Sequence, residues 1–338
     1  MNVLGMIRGS GWNEMEAVQY YRVFLPLREV NRADNGIKAS CVSQQSVVGM
    51  SDDELGGRDV YVMARMYHVD CEEFIAEIHR RGGVLVLDTD DDLTESYKLV
   101  SGRGEEFKKV LSMVDYVTTS TLPLASEIGK YTKRPPRVLK NHVDVQWMRG
   151  VAEKSKRITK GLTMGFIGSP THWGDWYLPA VPFSRIARDY DITPVLAGEG
   201  PRYLNYASRD LVKFAGVPFA IYPVLASQLD VVLCAVDSRD QFSVGKSGVK
   251  ALETMALGNV AICSRFAPYL ELADMGAPIV IVQEESRDGW YEAMEMVINS
   301  VDYRDMLCEQ GPDWVLSNRD MLQSGHEKWS EFYREIAN

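Results

Sequence analysis

Short, β-rich apolar runs alternate with longer amphipathic stretches from one end of this chain to the other. No other feature limits its folds as strongly. One series of runs comprises Val3–Ile7, Val60–Met63, Val84–Leu87, Tyr116–Thr119 and Val138–Leu139. A second comprises Leu162–Ile167, Thr193–Ala197, Val212–Phe214, Val231–Ala235, Val260–Ser264 and Ile279–Val282. Segments with helical spacing lie between them, among them Glu14–Val30, Cys71–Arg81, Pro123–Tyr131, Val249–Leu257 and Gly289–Ser300. Strands that are apolar on both faces need cover on both, which crossover helices supply in a parallel sheet. The expected class is therefore α/β. The alternation restarts after the polar, basic stretch 149–161, which predicts two Rossmann-like domains, residues 1–155 and 160–312. A length of 338 residues suits two domains better than one. The last segment, Pro312 to Ile336, reads as a helix with Trp314, Leu322, Trp329 and Phe332 as anchors. It follows completion of the second sheet, so this helix, about 313–338, is expected to pack back on the first domain.

Composition removes several classes. Hydrophobic residues at 46% and charged residues at 25% are normal for a globular chain with real cores. No stretch approaches the roughly 20 apolar residues that span a bilayer, and residues 1–11 carry no signal-peptide pattern. The five cysteines are scattered and form no CxxC pair, which argues against a disulfide framework or zinc site. A reducing cytoplasm is the expected compartment, a host's if the chain is viral. The net charge of −10 is uneven. Residues 1–160 balance 23 basic against 23 acidic side chains, whereas 161–338 hold 14 against 24. Within the balanced half, residues 130–160 carry ten basic side chains opposed only by Asp144 and Glu153. Such a run is either a solvated interdomain linker or a landing surface for an anionic acceptor, nucleic acid or the periphery of a phospholipid membrane.

The segment Gly245-Lys246-Ser247-Gly248-Val249-Lys250-Ala251-Leu252-Glu253 follows a predicted strand and opens a predicted helix. A glycine turn at a helix N-terminus presents free N–H groups, and the dipole there favours phosphate. Lys246 and Lys250, four apart, would add positive charge. Glu253 lies about 7 to 12 Å into the helix at 1.5 Å per residue, within reach of a ribose whose diphosphate sits on the turn. The same residues are equally consistent with a solvated Rossmann helix. A P-loop is excluded, since that motif needs Gly five residues before Gly245 and the residue there is Asp240.

This segment resembles the signature of retaining GT-B glycosyltransferases of the large bacterial glycan-synthesising type. In that signature a Glu, a glycine turn and a second Glu eight residues later precede a small-residue stretch ending in Gly. Glu253 matches the second Glu, the family's ribose ligand; Gly248 and Gly258 match as well. Gly245 stands where the family has its first Glu, a residue that commonly touches the donor sugar. Gly165–Asp175, Val195–Pro201, Asp115–Thr121 and Asn141–Asp144 resemble, in the correct order, other turns of these enzymes. The resemblance implies two Rossmann-like domains facing across a cleft. It also implies a nucleoside-diphosphate sugar, UDP- or GDP-linked, as co-substrate, no required metal, and transfer with retention. On that reading the donor is met by Gly168, Ser169, Gly198, Ser247, Gly248 and Glu253, and the leaving diphosphate is stabilised by Lys246 and Lys250. Gly9, Ser10, Gly11, Asp88, Asp90 and His142 fall on the acceptor side. The acceptor hydroxyl would belong to a glycan, a lipid-linked saccharide or a hydroxymethylated DNA base.

Two rivals come from other classes. Asp88, Asp90, Asp91 and Asp92 place four carboxylates within five residues after a strand. They could hold a divalent cation, act as the nucleophile loop of a haloacid-dehalogenase-type phosphatase, or cap the strand end and the next helix. Alternatively, the fold could bind nucleotide without catalysing transfer. Arg22 and Gln19 read as structural, and His172 as a loop histidine.

Overall fold

The computed structural model describes residues 1–7, 15–33, 35–43, 57–64, 71–94, 104–168, 174–198, 211–239 and 241–337. The chain divides into two compact units. One comprises Met1–His142, Val244–Ser247 and Met321–Asn338, the other Val143–Ser243 and Gly248–Asp320.

The first unit holds six parallel strands: β1 (Asn2–Ile7), β2 (Lys38–Ser43), β3 (Val60–Ala64), β4 (Val84–Thr89), β5 (Tyr116–Thr119) and β6 (Arg137–Val138), in the order β2-β1-β3-β4-β5-β6. The central strands β3 and β4 are almost wholly buried, as their apolar sequences require. β2 was not predicted. Its sequence, KASCVS, is that of a half-exposed edge strand and carries no apolar run. The first helix, α1, covers residues 17–32 with a π-helical turn at Tyr20–Phe24 between two α-helical parts. Three more helices follow: α2 (Cys71–Arg80), α3 (Gly104–Met113) and α4 (Leu122–Ile128). Thr121 caps α4 by accepting from Leu124 N–H at 3.3 Å, with Pro123 in the first turn. One face of the sheet is packed by Ile75, Ile78, Phe107, Leu111, Leu124 and Ile128 from α2, α3 and α4.

The second unit begins with α5 (Val145–Ala152), capped by Asp144 accepting from Trp147 N–H at 2.8 Å. Its strands are β7 (Leu162–Gly168), β8 (Ile192–Gly198), β9 (Val212–Phe214), β10 (Val231–Cys234), β11 (Val260–Cys263) and β12 (Val280–Ile281). They form a parallel sheet ordered β12-β11-β10-β7-β8-β9. The helices are α6 (Ala180–Asp189), α7 (Tyr222–Ala226), α8 (Val249–Ala256), α9 (Ala267–Asp274), α10 (Arg287–Asn299) and α11 (Val301–Arg319). Phe166, Trp176, Phe183 and Trp290 fill the core beside the β7, β10 and β11 side chains.

The expected boundary at 155–160 differs from the observed division after His142. The reason is α5, whose Val145 and Met148 are buried and whose Trp147 ring lies 5.4 Å from Phe219 of the second unit. Likewise the chain does not start a new helix at Pro312. α11 runs through that proline to Arg319, and the break comes at Asp320, whose backbone is extended. Asp320 is buried, and its carboxylate accepts from Val145 N–H at 3.1 Å. After Asp320 a π-helical turn (Met321–Gly325) leads into α12 (His326–Ile336), which packs in the first unit. There Phe332 meets Tyr116 edge-on at 6.2 Å, and Asn35 donates to Ser330 Oγ at 2.7 Å.

Candidate functional site

In the second unit, Gly248 is the N-cap of α8 and has no side chain to satisfy the first N–H groups of that helix. On α8, Glu253 is 7% exposed and its Oε2 accepts from the Tyr222 hydroxyl at 2.9 Å. Tyr222 opens α7. Its ring stacks on Phe219 at 5.8 Å, and Phe219 packs on Trp147 at 5.4 Å. Burial, reinforced by the charge of Glu253, pushes the Tyr222 hydroxyl well above its ordinary value of 10.0. The phenol therefore remains a donor across the working pH range. Lys250 points inward from the first turn of α8, its ammonium buried and 4.2 Å from the centre of the Phe166 ring on β7. That differs from a lysine standing at an open turn. Gly168 and Gly198 pair across β7 and β8. Gly198 has φ +86°, and a Cβ there would come within 2.2 Å of Gly168 O, so neighbouring strand ends alone require glycine.

Lys246 and Ser247 belong with the first unit. Ser247 Oγ accepts from Asn141 Nδ2 at 2.8 Å, and Gly245 O accepts from Thr121 Oγ1 at 3.0 Å. A Cβ on Gly245 would lie 3.0 Å from Leu124 Cδ1. The position that carries glutamate in the resembled signature is thus closed in by a leucine here.

Asp88 stands near the end of β4, where ligands gather in open α/β sheets, but it has no exposed surface. Arg22, equally buried and carried on the π-helical turn of α1, grips it through Nε at 3.0 Å and Nη2 at 2.8 Å. Thr118 Oγ1 donates to the same carboxylate at 2.6 Å. Arg22 also bonds Leu139 O and, at 2.9 Å, Asn141 Oδ1, while its guanidinium lies 5.1 Å from the Trp329 ring centre. Burial pushes the Asp88 carboxyl up, and Arg22 and Thr118 pull it back. Asp88 as placed is therefore wholly buried and engaged by Arg22 and Thr118, unlike the open strand-end carboxylate that an acceptor contact or a phosphatase nucleophile calls for. Asp92 turns inward to Thr94 N–H at 2.9 Å, and Asp90 is partly exposed. Among the described residues no three His, Cys, Asp or Glu side chains converge as a metal set. His142 is 7% exposed, its Nδ1 2.9 Å from Lys140 O, with Gly325 against the ring face. Since a carbonyl only accepts, that ring nitrogen carries the proton. Gly9, Ser10, Gly11, Ser169 and His172 lie outside the described residues.

The basic run is divided between the units at residue 142. Lys130 pairs with Glu127, Arg137 with Glu335 and Arg157 with Asp230, while Arg134 lies 4.4 Å from the Tyr116 ring centre. Three of its ten charges are thus ion-paired within their own units.

Comparison with solved structures settles the architecture. HepE from Anabaena, solved with UDP and glucose, matches with TM-score 0.70 at 10% identity, covering 99% of this chain and 100% of that one. Sucrose-phosphate synthase from Thermosynechococcus elongatus matches at 0.66 and 10% identity, over 99% of each chain. A glycosyltransferase from Rickettsia africae matches at 0.65 and 11% identity, over 99% and 98%. The fold is GT-B. No protein-family model matches the sequence, and neither does any curated protein. At such identities the likeness carries the fold, and the chemistry must be argued from side chains.

Sequence reasoning missed Tyr222, Phe219 and Trp147. The segment Pro218-Phe219-Ala220-Ile221-Tyr222-Pro223 reads locally as a turn with apolar residues. Nothing in it signals that Tyr222 reaches a carboxylate 31 positions away.

Proposed function

We propose that this protein is a glycosyltransferase that moves a sugar from a nucleoside-diphosphate donor, UDP being the first to try, to a hydroxyl acceptor with retention. The observation that carries this reading is Glu253 on α8, a buried carboxylate in the second turn of a helix whose N-cap is a glycine. In a chain that shares its fold along its length with HepE, solved with UDP-glucose at 11% identity and TM-score 0.70, that carboxylate suits ribose hydroxyls. The N-terminus of α8, whose N-cap Gly248 brings no capping side chain, suits a diphosphate.

In the reaction the anomeric C–O bond to the diphosphate breaks and the acceptor oxygen bonds the same carbon from the same face. The acceptor proton passes to the departing phosphate oxygen. Positive charge and N–H groups near the developing diphosphate lower the barrier, since they stabilise charge that grows only on the way to the transition state. Lys246 and the α8 N-terminus take that role in the proposal. Lys250, held over Phe166, adds its field from beneath. A saccharide or lipid-linked saccharide is the proposed acceptor. A DNA base has only the basic run to recommend it, and three of that run's ten cations are already ion-paired.

Glu253→Ala and Lys246→Ala are each expected to weaken nucleotide-diphosphate binding tenfold or more, about 1.4 kcal/mol, by calorimetry. Unchanged affinity in both variants sinks the reading. Mass spectrometry of products from a panel of nucleotide sugars and acceptors identifies donor and acceptor together. A gel shift with duplex DNA at low salt, if positive, reinstates the nucleic-acid acceptor.

A further inference from the structure

Glu253 can recognise a ribose only if its carboxylate plane is held in place. A glutamate has three side-chain torsions, and the last is broad, so an unrestrained carboxylate samples many orientations. The second unit contains a device that restrains it. The Tyr222 hydroxyl donates to Oε2 of Glu253 at 2.9 Å, from a different helix and from 31 residues away. The Tyr222 ring is itself fixed. It stacks at 17° on Phe219, which leans on Trp147 of α5, and Pro223 follows at the start of α7. The stack is rigid and aromatic, and it ends in a single hydroxyl on a carboxylate. A hydrophobic residue at 222 would complete the same packing without that bond. We propose that Tyr222 is a positioning residue for donor recognition: its hydroxyl fixes the Glu253 carboxylate in the orientation that meets the ribose hydroxyls.

This inference rests on the proposed nucleotide site and adds a specific consequence. The Tyr222–Glu253 pair, and not the carboxylate alone, makes the protein discriminate ribose from deoxyribose. A site built to hydrogen-bond a hydroxyl rejects the analogue that lacks it, because its polar group is then left unpaired. Deleting the Tyr222 hydroxyl removes one restraint on the orientation of that carboxylate, so discrimination weakens.

Tyr222→Phe tests this in the full chain, since it keeps the ring and the stack and deletes one oxygen. Binding of UDP and 2′-deoxy-UDP, or of GDP and 2′-deoxy-GDP if the wild type prefers guanine, is measured by calorimetry with thermal midpoints alongside. The wild type is expected to favour the ribonucleotide by about tenfold or more, the size of one hydrogen bond to a charged group. Tyr222→Phe is expected to lower that preference about threefold to fivefold at a nearly unchanged midpoint, again from the energy of a single hydrogen bond. Glu253→Gln should abolish the preference, and the double variant should match Glu253→Gln alone, because the tyrosine acts only through the carboxylate. A wild-type ratio retained in Tyr222→Phe overturns the inference while leaving the nucleotide site intact. So does an equal loss of affinity for both nucleotides with a fallen midpoint, the mark of a merely structural tyrosine. If the wild type binds neither pair, the nucleotide site itself fails, and this inference with it.

Discussion

Asp88 on β4 is 0% exposed and Glu253 on α8 is 7% exposed, yet their partners differ in kind. Asp88 is clamped by the buried guanidinium of Arg22 through both of its oxygens and receives the Thr118 hydroxyl as well. Glu253 is steadied by a phenol, which brings a hydrogen bond and no charge. A carboxylate held by a buried arginine has its charge cancelled on site, and a ligand would have to break that pair to use it. The Tyr222 hydroxyl brings no opposite charge that a ligand would have to displace. Position at a strand end made Asp88 attractive on sequence, whereas the partner tells which carboxylate is structure and which is suited to recognition.

The comparison is broken or sharpened by three measurements, the strongest first. Arg22→Met leaves Asp88 buried without its counter-charge and is expected to cost about 3–5 kcal/mol of stability. Urea unfolding measures this, and adding Asp88→Leu is expected to recover much of the loss. A loss well below that range in the single variant would mean that Asp88 is not held as argued. Glu253→Gln is expected to do the opposite. Nucleotide affinity falls about tenfold, while the thermal midpoint moves by no more than about 2–4 °C, the shift that roughly 1 kcal/mol produces in a unit of this size. A large drop in midpoint would place Glu253 with Asp88 as a structural group.

The smallest effect concerns a third carboxylate, Asp230, which immediately precedes β10 and receives Thr163 N–H at 2.8 Å as well as Arg157. Burial pushes its pKa up, but the bonds from Arg157 and Thr163 outweigh burial and hold it below the ordinary 3.8. With the folded value depressed, the unfolded chain takes up its proton first as pH falls. The stability Asp230 contributes is therefore present above pH 3.8 and disappears as pH drops through the lower folded value. Acid unfolding curves of Asp230→Asn are expected to be flatter than wild type in that window and lower above it. Parallel curves would remove Asp230 from the acid-sensitive set.

Much of the fold was legible because strands and helices announce themselves by local periodicity. The apolar runs at Val60–Met63, Val84–Leu87 and Val231–Ala235 became the buried strands β3, β4 and β10. β2 escaped because an edge strand covers little and can be written in polar residues, as Lys38–Ser43 is. The π-helical turn at Tyr20–Phe24 escaped as well, since no local code distinguishes it from α-helix. It carries the inward-facing Arg22, which was legible as a residue and illegible as a partner.

The sequence by itself determined two series of buried parallel strands and a glycine turn ahead of Glu253. Only the tertiary structure decided that the chain passes from one unit to the other after His142 and after Asp320. It alone decided that Arg137 and Arg157 of the basic run pair with Glu335 and Asp230, and that Asp88 is locked away. The physical reason is range. Periodicity and capping are set within a few residues, whereas a charge acquires its meaning from its partner, and Arg22 finds Asp88 across 66 positions while Tyr222 finds Glu253 across 31.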